Sequence, residues 1–269
     1  DLEADQIRLT EKIYDDFVRS GALLNSEKKA QLKQINEELS ALSVRFGSNV
    51  LAENNNFVMY QTDKQVASLP SSVKDAAKEK AEELGEGKYA FTLHKPSLIP
   101  FLTFSSERSS REEIYRAYLN RGNNGNEYDN KQIINDMIRL RTEKAQMLGY
   151  PSYAAYVTSE QMSGSPKAVY ELLEGIWTPA LQRAQEELAD MMPLYNEDNE
   201  SDNNFASWDW WYYADKVRQQ RYSLNEEHVR SFFSLDNVRQ GVFNLANRLF
   251  GITFRPVSVP LYHNEASAF

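Results

Sequence analysis

The stretch "EKKAQLKQINEELSALSVRFGSNVLAE", residues 27–53, decides the class of fold. Its apolar side chains fall at Leu32, Ile35, Leu39, Leu42, Phe46 and Val50, in steps of three and four. Such steps line up side chains along one face of an α-helix. Lys33, Asn36, Glu37 and Glu38 occupy the other faces. Asn25-Ser26 offers an N-cap, and Glu27 puts an acid in the first turn, where the helix dipole favours one. The stripe therefore predicts a helix about 40 Å long.

Working outward, residues 3–19 read as a second helix, with Ile13 and Phe17 one turn apart and Gly21 suited to its C-terminal end. Two antiparallel helices with a packed seam are expected from such a pair. Residues 71–84 form a Lys- and Glu-rich helix ending at Gly85. "KYAFTL", 88–93, alternates Tyr89, Phe91 and Leu93, the period of a short half-buried strand. Pro96 and Pro100 are expected to break the chain after it. Ser110 and Glu113 have capping-box spacing at the start of the next helix. "NRGNNGNEYDN", 120–130, is a loop by composition, and a helix runs from Lys131 to Leu148. Ser165-Pro166 starts another helix, which Thr178-Pro179 kinks or restarts before Leu181, Ala184, Leu188 and Met191. A polar break covers 195–204. Ser223 and Glu226 suggest a second capping box. Ser234 caps a helix carrying Val238, Val242, Leu245 and Leu249, ended by Gly251, and "ITFRPVSV" reads as a strand. The expected fold is mainly α: helical hairpins and a bundle with one or two short strands. The expected division is 1–195 and 196–269.

The net charge of −9 argues against a nucleic-acid partner, which needs a basic face. No apolar run reaches membrane-spanning length. The absence of cysteine removes disulfides, thiolate nucleophiles and Cys-bound zinc from this chain. His94, His228 and His263 do not pair at helical spacing, and no H-E-x-x-H, G-x-S-x-G or phosphate-binding Gly loop occurs. Asp198, Glu200 and Asp202 alternate like calcium-loop ligands, but Asn203 stands where the sharp-turn Gly belongs. A solvated loop is the expectation there. No catalytic, metal-binding or substrate-binding residue is assigned.

"WDWWYYADKVRQQRY", 208–222, places five aromatic residues in six positions. On a regular helix Trp208, Trp211 and Tyr212 share a face that Asp215 extends, and the expectation is an aromatic face buried against neighbouring helices. The same stretch, followed by "GVFNLANRLFGITF" at 241–254, resembles the thimet oligopeptidase and peptidyl-dipeptidase family of zinc metallopeptidases. Trp208, Asp209, Tyr212 and Tyr213 match its W-D-x-x-Y-Y step. Two further blocks are similar to the family in the right order: "PSLIPFLTFSSERSSREEIYRAYLNRG" at 96–122 and "DNKQIINDMIRLRTEKAQMLGYPSYAAY" at 129–156. "NEELSALSVRFGSNVLAE" at 36–53 and "RQGVFNLANRLFGITF" at 239–254 resemble the bacterial dipeptidyl carboxypeptidase branch.

The resemblance implies a helical fold split by a deep channel, with zinc at its floor and short peptides as substrates. It implies that this chain is an N-terminal portion supplying one channel wall, inactive and zinc-free by itself. The chain begins at Asp1-Leu2-Glu3 and closes on Ala268-Phe269, and the zinc motif is expected in a C-terminal catalytic portion. The intact parent is expected to be a monomer, cytoplasmic or periplasmic, with no nucleic-acid or membrane partner. A different class of reading is a self-contained helical scaffold or adaptor that binds a protein through its aromatic face.

Overall fold

The computed structural model describes residues 2–199, 204–223, 229–230 and 232–269. The structure is mainly α-helical, as the periodicity predicts, with one two-stranded antiparallel sheet among the described residues. Helix α1 spans Ala4–Arg19 and α2 Ser26–Asn56. Asn25 caps α2 by accepting from the Lys28 amide at 2.9 Å. Strand β1 (Val58–Gln61), α3 (Ser71–Leu84), β2 (Tyr89–Thr92), α4 (Lys95–Phe104) and α5 (Arg108–Leu119) follow. Then come α6 (Lys131–Met147), α7 (Tyr153–Thr158), α8 (Pro166–Asp198), a 3₁₀ turn at Ser207–Asp209, α9 (Trp210–Tyr222) and α10 (Leu235–Phe250). None of the described helices is long and apolar enough to cross a membrane.

The chain divides into two compact units, Asp1–Asp215 and Lys216–Phe269. The core of the first gathers Met59, Val66, Leu69, Val73, Phe91, Leu98, Phe101, Leu102 and Ile114 from β1, β2 and helices α3 to α5. β1 pairs antiparallel with β2, Met59 opposite Phe91. Phe91 meets Phe101 at 4.5 Å between ring centroids. β2 is not half-buried as its alternation predicts. Ala90, Phe91 and Thr92 are all buried, because β1 flanks the strand while α3 and α4 pack on it.

Other expectations need correction. Pro96 and Pro100 lie inside α4. Pro96 falls in the first turn, where its missing N–H has no helical partner to lose, so it starts the helix. Pro100 is tolerated further in. α5 starts at Arg108, which places Ser110 inside the helix and not at a cap. Ser110 is buried and donates to Gln61 Oε1 at 3.2 Å, a cross-element bond that sequence spacing does not encode. α8 continues through Pro179 and Pro193 as one helix, capped by Ser165. The α1–α2 pair does not form the expected seam. No residue of α1 is buried and Phe17 is 64% exposed, while the stripe on α2 turns to α6. Arg19 instead fastens the end of α1 to the α7 region, donating to Tyr150 Oη at 3.0 Å and the Tyr156 carbonyl at 2.8 Å and pairing with Glu160 at 2.8 Å.

In the second unit Ser234 and Gly251 bound α10 as expected. Phe254 stacks on Phe243 at 4.2 Å, and Phe269 packs edge-on against the same ring at 5.1 Å. "ITFRPVSV" is not a strand. Its one described pairing is the isolated bridge Val257–Ala268, and a ladder needs a partner of several residues. The Ser223–Glu226 box and His228 lie partly or wholly outside the described residues, as do Glu200, Asp202 and Asn203.

Candidate functional site

The W-D-x-x-Y-Y step turns out to be an ionic lock. The 3₁₀ turn points Asp209 into the core, where it is fully buried. Its Oδ1 accepts from Arg111 Nη2 at 2.7 Å and its Oδ2 from Arg108 Nη2 at 3.0 Å, with Arg108 Nε 3.1 Å from both oxygens. The Ala206 amide adds a third donor group at 3.0 Å. Arg111 is 1% exposed, and its remaining donors reach the carbonyls of Ser105 at 2.7 Å and Trp208 at 3.3 Å. A guanidinium this far from water holds its charge only among such partners. Arg108 and Arg111 are three residues apart on α5, so they present one face to the turn.

Aromatic rings roof the lock. The Arg111 guanidinium sits 4.4 Å from the Tyr212 ring centroid, and that of Arg116 4.7 Å from Trp208. These are cation–π contacts, the ring quadrupole facing the charge. The expected face of Trp208, Trp211 and Tyr212 is therefore rotated. Asp209 and, one turn on, Tyr213 point inward, while Trp211 stays 41% exposed. The pull of two arginines on Asp209 sets the rotation. The Tyr213 hydroxyl donates to Asp198 Oδ2 at 3.2 Å and accepts from Asn199 Nδ2 at 2.9 Å. Burial pushes its phenol well above the ordinary range.

A second polar centre surrounds Glu53 on the last turns of α2. Glu53 is 7% exposed. It accepts from the Gly122 amide, from Asn124 Nδ2 at 2.9 Å and from Asn126 Nδ2 at 2.8 Å, all from loop 120–130. Burial alone raises the carboxyl pKa, but these three donors outweigh it and hold Glu53 below its ordinary value. Gly122 has φ +74°, and a Cβ there would stand 2.8 Å from Asn130 Nδ2. Asn130, itself buried, accepts from Asn49 Nδ2 at 2.9 Å and donates to the Phe46 carbonyl at 3.2 Å. An open cavity of about 280 Å³ lies beside Glu53, with Phe57, Leu93, Arg121 and Tyr128 among its lining. Neither centre was marked in the sequence. Arg108 and Arg111 at helical spacing were the available signal for the first, and the Asn-rich loop for the second.

Each of the two described histidines bonds to a neighbour two residues away. His94 is exposed before α4, with Nδ1 3.2 Å from the hydroxyl of the buried Thr92. His263 Nδ1 accepts from the Glu265 amide at 3.2 Å, which fixes a turn and aims no carboxylate at the ring. Among the described residues no three His, Asp or Glu side chains form a group able to hold a metal ion. The described residues therefore offer no donor set for zinc.

Comparison with known proteins identifies relatives of this chain. The chain is 33% identical over 268 residues to a dipeptidyl carboxypeptidase of Salmonella typhimurium, covering 98% of this chain and 39% of that protein. It is 34% identical to the chloroplastic/mitochondrial organellar oligopeptidase A of Arabidopsis thaliana, covering 96% of this chain and 34% of the relative. It is 32% identical to oligopeptidase A of Haemophilus influenzae, covering 100% and 40%. The chain thus spans about a third to two fifths of the length of these relatives. Residues 101–268, which contain both arginines, Asp209 and α10, match the model of peptidase family M3. With that match over more than half of its length, the chain belongs to peptidase family M3.

Proposed function

We propose that this chain is the helical, non-catalytic part of a zinc-dependent M3 oligopeptidase, cytoplasmic or periplasmic, that cleaves short peptides and in its intact form releases dipeptides from C-termini. The supporting observation is the pairing of near-complete coverage of this chain with coverage of 39% of a dipeptidyl carboxypeptidase. No donor set for zinc stands among the described residues, so the metal and the groups that act on the peptide bond belong to the other part. The role of this part is to wall the substrate channel, holding short peptides in place and keeping water and folded proteins out.

Uncovered apolar faces support the same reading. α8 exposes Leu172, Leu173, Ile176 and Trp177, and α10 exposes Val242, Leu245 and Leu249. Apolar faces of this extent on soluble proteins are normally covered, and the catalytic part of the same fold is the proposed cover. The adaptor reading loses its main support, since Trp208 and Tyr212 are engaged by arginines.

The test is the 269-residue chain with added zinc and a quenched-fluorescence peptide. No turnover and no stoichiometric zinc are expected, together with binding of a hydrophobic dye. Tight 1:1 zinc with turnover would overturn the proposal. So would a reading frame that encodes no H-E-x-x-H beyond these residues.

A further inference from the structure

Loop 120–130 contains Asn124-Gly125, the one Asn-Gly pair in the sequence. Without a side chain on the following residue, the backbone nitrogen after an Asn can reach its side-chain carbonyl carbon. Both residues are exposed, so water has access, and Gly125 lies in the left-handed region at φ +67°. In the folded loop both reacting groups are held elsewhere. Asn124 Nδ2 donates to Glu53 Oε1 at 2.9 Å, and the Gly125 N–H donates to Asp129 Oδ2 at 2.8 Å.

We propose that Asn124 is a gated deamidation site: the Glu53 latch protects it while closed, and its reaction product prevents the latch from closing again. In the reaction the Gly125 nitrogen bonds to Asn124 Cγ and the Cγ–Nδ2 bond breaks. The amide nitrogen leaves as ammonia, taking up the proton lost from the Gly125 nitrogen. Water then adds to one carbonyl carbon of the cyclic imide. The bond from that carbon to the Gly125 nitrogen breaks, and the nitrogen regains a proton. Opening at Cγ leaves an aspartate; opening at the main-chain carbonyl leaves an isoaspartate. Nothing is oxidised or reduced, and water is the sole co-reactant.

The product matters because of what faces it. A donor to Glu53 becomes a second carboxylate at hydrogen-bonding distance from the first, and like charges that close repel. Glu53 keeps the Gly122 and Asn126 donors but loses the Asn124 one, in a setting where burial already disfavours its charge. Isoaspartate also adds a methylene to the main chain inside the tight loop. Opening frees the two held groups to meet and modification stabilises the open form, so the change runs one way.

Peptide mapping by mass spectrometry on the full 269-residue chain, incubated near neutral pH, tests this. Asn124 is expected to convert at least about tenfold more slowly in the folded chain than in the same chain held unfolded in urea, since conversion follows the open fraction. Glu53→Ala is expected to bring the folded-state rate close to the unfolded one, with Asn25, which precedes Ser26, as an unchanged internal clock. Asn124→Asp is expected to lower the urea midpoint. Should Glu53→Ala fail to fold, the unsubstituted chain in urea below its transition gives the same reading, with conversion rising before global unfolding. Equal rates folded and unfolded, a rate insensitive both to Glu53→Ala and to mild urea, or an Asn124→Asp chain as stable as the original would each overturn it.

Discussion

Asp209 and Glu53 are both buried carboxylates in the first unit, and the chain compensates them differently. Asp209 meets two guanidiniums delivered by one helix face. Glu53 meets neutral donors only: one backbone amide and two asparagine side chains. The first solution joins segments about a hundred residues apart and leaves a buried Arg stranded if it fails. The second ties a loop to a helix end, and each donor can be lost singly. Charge pairing makes a joint that must be whole; amide donors make a latch that can open in part.

Asp209→Ala tests the contrast most severely. It removes the anion beside Arg111 and should cost about 3–5 kcal/mol in urea unfolding, as for other broken buried pairs. A loss below about 1 kcal/mol would mean that the lock does not hold α5 to the 3₁₀ turn. Glu53→Gln comes next. The amide end of Gln confronts donors with donors, and a loss of about 1–3 kcal/mol is expected. A loss as large as that of Asp209→Ala would erase the distinction between joint and latch.

Acid sharpens it further with a smaller effect. Glu53 has its folded-state pKa below the ordinary carboxylate value of 4.5. Its contribution is therefore fully present above that value and drains as pH falls through the lower folded-state pKa. The stability gap between the original chain and Glu53→Gln should narrow as urea midpoints are followed downward from about pH 6. A gap independent of pH would show that hydrogen-bond geometry alone, without charge, sets the latch. Smallest of all, Leu245→Lys on α10 should change stability by less than about 0.5 kcal/mol, because Leu245 is 57% exposed in this chain. A larger loss would mean that the face is already covered.

Local rules placed most helices. Asn25, Ser165 and Ser234 cap the helices that their positions predict, and Gly85 and Gly251 end theirs in left-handed conformations. Each of these depends on side chains within a turn of the backbone they serve. The misses depend on distant partners. Strand β1 exists because β2 lies beside it, and nothing in "VMYQ" announces that. Ser110 has cap spacing, yet Gln61 takes its hydroxyl. Pro100 looks like a helix breaker, yet α4 carries on around it with Leu98, Phe101 and Leu102 buried in the core. Of the two polar centres, the sequence showed the Asn-rich loop and the aromatic run but not Glu53 or the arginine pair as their anchors.

The sequence by itself determined the helical class, most caps and the family, since these are written in periods of a few residues and in ordered blocks. The tertiary structure alone decided that Asp209 sits between Arg108 and Arg111, that Asn124 faces Glu53, and that the apolar stripes of α1, α8 and α10 remain largely uncovered among the described residues. Those outcomes turn on desolvation, which acts between groups brought together only by folding and leaves no trace in local spacing.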